Sequence, residues 1–235
     1  MCTAQDREKN DTLIKKGYLS KPQLIAETLY KHQPDAKVVL DVGYAQYPNR
    51  FLQGEVHGVD ILADVLPENY FKVSQADFNT CTLPYADGTF DAITMGCVLS
   101  HVTNPLGFLI ELHRVLKKGG MLVLSSPNPN YYWEQTLNVF FHHFKNRVAS
   151  TKMLEHFYDF TRYNMYTITN RAGFSVKDEV GVSFHVVKLG WTFQPKKYPG
   201  IAYEIIYALE KTGEPEMFTI CELPDGNRKI PTVLK

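Results

Sequence analysis

Several features that commonly announce a ligand or a location are scarce in this chain. Cysteine is sparse: Cys2, Cys81, Cys97 and Cys221 stand among 235 residues, and no CxxC pair occurs. Thiols spaced this way make neither a disulfide frame nor a zinc knuckle, and they suit a reducing compartment. An excess of one charge is missing too, because 25 Lys and Arg balance 25 Asp and Glu. A neutral chain has no general electrostatic pull toward nucleic acid or an anionic membrane, so no nucleic-acid partner is expected. No apolar run approaches the roughly 18 residues of a membrane span. The polar start, Met1 to Lys16, does not read as a signal peptide, so the expected location is the cytoplasm. Phosphate-binding glycine loops are absent as well. Neither GxGxxG nor GK[ST] occurs, which speaks against nicotinamide dinucleotides and nucleoside triphosphates.

What is present is an ordinary globular composition, 44% hydrophobic and 21% charged, with 14 Tyr and 14 Phe. Apolar runs stopped by glycine or a turn predict strands at 37–43, 56–61, 73–78, 90–95 and 121–125. Helices are expected from Pro22 to Pro34 and from Pro105 to Leu116, the second stopping at Lys117-Lys118-Gly119-Gly120. A third helix is expected around 163–172, followed by strands at 174–178 and 201–209. Strands alternating with helices imply an open, mostly parallel α/β sheet. Residues 127–165 break the rhythm with a crowd of aromatics, and read as a helical, lid-like insert. One domain over 1–211 and a C-terminal extension over 212–235 complete the expected organisation.

Three acids fall at strand ends, where open α/β sheets bind ligands. Asp41 precedes Gly43, whose missing Cβ lets backbone approach a ligand. A carboxylate there suits a cation and not a pyrophosphate. Asp60 closes Gly58-Val59-Asp60, where an acid accepts from ribose hydroxyls. Asp77 follows the third strand, placed to accept from an adenine amine while Phe78 stacks on the ring. An amine, a ribose and an adenine without phosphate describe S-adenosyl-L-methionine. Tyr44 and Ala45, beside Gly43, and Ile61, beside Asp60, are placed in the same cofactor-binding set.

These segments resemble class I S-adenosylmethionine-dependent methyltransferases of the "type 11" kind. Val38 to Ala45 (VVLDVGYA) is similar to the family's first motif, and Gly58-Val59-Asp60 to its second. Leu83 to Ile93, Val98 to Pro105 (VLSHVTNP) and Leu112 to Leu122 look like the later motifs. The resemblance implies a Rossmann-like fold with a seven-stranded, mostly parallel sheet flanked by helices. It also implies methyl transfer to a small-molecule or sugar-like acceptor, with a hydroxyl oxygen as the expected site. His101, in the loop after the fourth strand, is the candidate base. Asn104, Tyr131 and His156 are the candidate acceptor contacts.

Two departures stand out. The family usually has glycine where this chain has Ala45 and Tyr47, and glutamate where it has Ser100. They support a second reading, a non-catalytic S-adenosylmethionine- or S-adenosylhomocysteine-binding or scaffold protein. A metal is not expected. His142 and His143, adjacent on a helix, would point about 100° apart, and no Asp, Glu or Cys stands at ligand spacing from them or from His156.

Overall fold

A computed structural model describes residues 14–129, 131, 157–186 and 191–216. Nine strands lie among the described residues: β1 Val38–Val42, β2 Glu55–Asp60, β3 Lys72–Gln75, β4 Phe90–Gly96, β5 Leu116–Pro127, β6 Phe174–Gly181, β7 Phe184–Val186, β8 Trp191–Phe193 and β9 Glu204–Lys211. Three α-helices lie wholly within the described residues: α1 Lys21–His32, α2 Pro105–Val115 and α3 Arg162–Arg171. Seven strands form one sheet in the order β3-β2-β1-β4-β5-β9-β6, while β7 and β8 pair separately as a short antiparallel hairpin.

The pairings of β3, β2, β1, β4 and β5 are parallel, and β9 runs antiparallel to both β5 and β6. From β1 the chain steps outward to β2 and β3, then returns to the other side of β1 as β4. That reversal opens a crevice at the C-terminal ends of β1 and β4, the usual ligand position in such sheets.

Side-chain alternation sorts the core onto two faces. Leu40, Val42, Ile93, Met95, Leu122 and Leu124 pack with Phe108 and Leu112 of α2. Val39, Ala92 and Val123 point to the other face, toward Leu24, Ile25 and Leu29 of α1. Asp41 and Thr94 share that second face and are register partners.

Each helix has a local reason to start where it does. Ser20 caps α1 by accepting from the Gln23 amide at 3.3 Å, with Pro22 in the first turn. Asn104 caps α2 through the Gly107 amide at 3.0 Å, ahead of Pro105. Thr161 caps α3 through the Asn164 amide at 3.1 Å.

The structure confirms the seven-stranded, mostly parallel sheet and corrects several expectations of detail. Residues 43–54 and 61–71, which link β1 to β2 and β2 to β3, are loops. The stop after α2 is not a free turn, since β5 begins at Leu116 and takes Lys117–Gly120 into the strand. The last strand starts at Glu204, after a 3-10 turn at Pro199–Ile201. The β7–β8 hairpin had no signal in the period-two pattern. Of the expected insert, residues 130 and 132–156 lie outside the described residues, as do 217–235 of the expected extension. Residues 212–216 run beside α3: the amides of Thr212 and Gly213 donate to the Gly173 carbonyl, and that of Glu216 to Arg171.

Candidate cofactor site

One cavity opens at the crevice between β1 and β4. Asp41, Gly43, Asp60, Ile61, Asp77, Phe78 and His101 line it, with Lys21, Pro22 and Ile25 of α1 closing one side. Seven residues named from sequence therefore meet at one surface, although they come from four separate segments.

Asp41, next to last in the central strand, is buried, 6% exposed. Its Oδ1 accepts from the Thr94 hydroxyl at 2.8 Å, and its Oδ2 from the Tyr70 phenol and the Asn49 amide. Burial pushes its carboxyl up to about 6, against these three hydrogen bonds, which favour the ionised form. A carboxylate held this way is a rigid acceptor for a cationic group, and it is half protonated in mildly acidic solution.

Gly43 follows with φ +78°, in the left-handed region. A Cβ there would stand 2.3 Å from Val98 Cγ2, so any other residue would force Val98 or the loop to shift. Ala45 and Tyr47 are unstrained. Among the described non-glycine residues only Cys81 and Cys97 have positive φ. The Ala45 amide donates to Asp60 Oδ2 at 3.1 Å, and the Leu62 amide to Oδ1 at 3.0 Å. Two backbone donors thus fix the carboxylate of Asp60 while it still faces the cavity with lone pairs to spare.

Asp77 is exposed at the rim, and its side chain caps a 3-10 turn through the Asn79 amide at 3.0 Å. Phe78 packs against Phe108, ring centroids 5.0 Å apart, and lines the cavity. His101 ends the 3-10 turn Leu99–His101. The preceding carbonyl, of Ser100, accepts from the Phe157 amide at 2.8 Å, and the Tyr158 phenol donates to the Thr103 carbonyl at 2.9 Å.

Other sequence-named residues sit elsewhere. The ring of Tyr44 turns into the core, 2% exposed, and lies over Gly58, while its hydroxyl donates to the Val65 carbonyl. Asn104 is engaged as the α2 cap and does not line the cavity. Tyr131 packs edge-on against Phe184 and Tyr203 and does not line the cavity either. His156, like His142 and His143, lies outside the described residues. Asp91 is structural: it accepts from the Lys37 and Val38 amides and pairs with Lys117. No group of three or more His, Cys, Asp or Glu with metal-site geometry occurs among the described residues.

Sequence reasoning missed Tyr70, Thr94 and Asn49, which hold Asp41, and Lys21, which lines the cavity. The hydroxyl of Tyr70 comes from the loop after β2 and has no motif spacing to Asp41. Lys21 reads in sequence as an ordinary solvated charge before Pro22.

The sequence profile described as "Methyltransferase domain" matches residues 40–124, the stretch that holds Asp41, Gly43, Asp60, Asp77 and His101. A demethylmenaquinone methyltransferase of Listeria monocytogenes is 34% identical over 99 residues, covering 38% of this chain and 42% of that protein. The chain thus matches less than half the length of that relative. An S-adenosylmethionine-dependent methyltransferase from Thermotoga maritima superposes with a TM-score of 0.57 at 18% identity, over 88% of this chain and 95% of the other. A 1,6-didemethyltoxoflavin-N1-methyltransferase from Burkholderia thailandensis, with its substrate and S-adenosylhomocysteine bound, superposes at 0.54 and 17%, over 81% and 78%. At such identity the structural likeness establishes the fold. Residues 40–124 are thus similar to a methyltransferase domain, on a fold shared with S-adenosylmethionine-dependent methyltransferases of known structure.

Proposed function

We propose that this chain methylates a small-molecule acceptor at a hydroxyl oxygen, using S-adenosylmethionine, with His101 as the base. The observation that carries the reading is the convergence of Asp41, Asp60, Asp77 and His101 on one cavity. The first three match the cofactor's cationic amino-acid end, ribose and adenine. When bound, the cofactor supplies a methyl group on a sulfonium, which a nucleophile displaces in line.

The chain's own residues do the rest. Asp60, immobilised by the Ala45 and Leu62 amides, holds the ribose and so fixes the sulfur's position. Asp41 faces the positive charge beside it. His101, on the cavity wall, takes the proton that an acceptor hydroxyl must lose, and alignment supplies most of the rate. The Listeria and Burkholderia relatives, named for a quinone and a small heterocycle, support a small acceptor.

A non-catalytic binding protein is the second reading, and the replaced loop glycines favour it. The unstrained backbone at Ala45 and Tyr47 weakens that argument. Calorimetry with S-adenosylmethionine and S-adenosylhomocysteine, followed by turnover on phenolic, sugar and quinol acceptors, separates the two. Asp60→Ala should weaken cofactor binding by roughly 1–3 kcal/mol, the scale of charge-assisted hydrogen bonds. Undiminished binding in that variant removes the assignment. Tight binding with no turnover on any acceptor favours the second reading.

A further inference from the structure

The turn that follows β3 and the loop that follows β4 are tied together at the cavity. Asn79, from the turn, and His101, from the loop, both line it. Asn79 Oδ1 accepts from the Thr103 amide and from the Thr103 hydroxyl, each at 2.9 Å. One carbonyl oxygen thus takes two donors of a single residue, one for each of its lone pairs.

Both ends of this tie are fastened in turn. On one side, the Asp77 carboxylate accepts from the Asn79 amide, and the Asp77 carbonyl from the Thr80 hydroxyl at 2.8 Å. On the other, the His101 and Val102 amides donate back to the carbonyls of Val98 and Leu99, closing the 3-10 turn that carries His101. Beyond it, the Thr103 carbonyl accepts from the Tyr158 phenol at 2.9 Å. Asn79 and Thr103 are exposed, where a single substitution changes global stability little. The effect of the tie is local: it fixes the turn assigned to adenine relative to the loop of His101.

Resting on the cofactor assignment above, we infer that Asn79 is a positioning residue that couples the adenine end of the cavity to the loop of His101. A ligand against Asp77 and Phe78 immobilises the turn, the turn holds Asn79, and Asn79 holds Thr103, two residues beyond His101. An opening of the loop that breaks the tie loosens the turn under the ligand. Bound ligand and closed loop therefore favour each other reciprocally. His101 is set in place when the methyl donor arrives, with no contact needed between the two.

The test needs no acceptor. Amide hydrogen exchange at His101, Val102 and Thr103 is read by NMR on the full chain. S-adenosylhomocysteine and adenosine are the probes, each at ten times its dissociation constant for the variant in hand. All three amides are hydrogen-bonded, so their exchange reports opening of the loop. In wild type both probes should slow it by up to about tenfold, the limit that this occupancy sets for an opening coupled to release. In Asn79→Ala, which keeps the backbone amide that caps Asp77, the probes should still bind but leave the exchange nearly unchanged. Asn79→Asp keeps the acceptor oxygen and should recover the slowing. Equal slowing in wild type and Asn79→Ala would make the tie structural only and overturn the coupling. No slowing in wild type with the probes bound overturns it too and leaves the cofactor assignment standing, as does slowing by S-adenosylhomocysteine without slowing by adenosine. Wild type that binds neither probe overturns the cofactor assignment and the coupling with it.

Discussion

The phenol of Tyr70 donates to the carboxylate of Asp41, joining the loop after β2 to the central strand. With Thr94 and the Asn49 amide it favours the ionised carboxyl, against a burial that drives the group up to about 6. Cofactor affinity should therefore rise with pH through about 6, as Asp41 ionises, and a proton should leave on binding below that point. Calorimetry in buffers of different ionisation enthalpy measures the proton. Tyr70→Phe removes a bond to the charged form, so the midpoint should move upward. An affinity flat from pH 5 to 8 would contradict the assignment.

The same group makes a prediction about stability. The native state binds Asp41's proton more tightly than the unfolded chain, whose carboxyl titrates near 3.9. Asp41 therefore contributes most at low pH, and its contribution declines as pH rises through about 6. Denaturant unfolding of wild type and Asp41→Asn should show wild type losing roughly 1–3 kcal/mol relative to the variant between pH 4 and 7. A constant difference would contradict the raised carboxyl.

Gly43→Ala should lower stability by roughly 1–3 kcal/mol, from left-handed backbone and the contact with Val98 together. Adding Val98→Ala should restore part of that loss, the part due to contact, because the backbone strain stays. Thermal unfolding of the two single variants and the double variant checks this. Full restoration would mean that φ at residue 43 carries no penalty.

His101→Ala should lower turnover on a hydroxyl acceptor by about two to four powers of ten with cofactor affinity unchanged. Steady-state kinetics with calorimetry on the same preparation reads both. Undiminished turnover would reduce His101 to a loop residue and point to catalysis by alignment alone.

The elements with strong periodicity were legible: α2 and strands β1, β2 and β4 fall within a residue or two of expectation. The acids at strand ends were legible as well, because parallel strands bring their C-terminal ends to one edge whatever the loops do. Tyr44 was not, since its place in a glycine motif says nothing about which way its ring turns. Here the ring fills the space left by Gly58, where a Cβ would come within 2.7 Å. Asn104 showed the opposite ambiguity, a polar residue beside the loop of His101 whose side chain caps α2 and does not line the cavity. Lys21 was hidden because its partners, Cys97 and Glu204, are distant in sequence and meet it only through the sheet order.

The stretch between Asn128 and Phe157 is moored at both ends. The Asn128 amide donates to the Tyr203 carbonyl, and the Phe157 amide to that of Ser100, next to His101. Such mooring separates the length of the intervening chain from the geometry of the cavity. Doubling a tethered segment adds only about 0.6 kcal/mol of closure entropy. A change in the length of chain between the two moorings is thus expected to leave the arrangement of Asp41, Asp60 and Asp77 at the strand ends as it is.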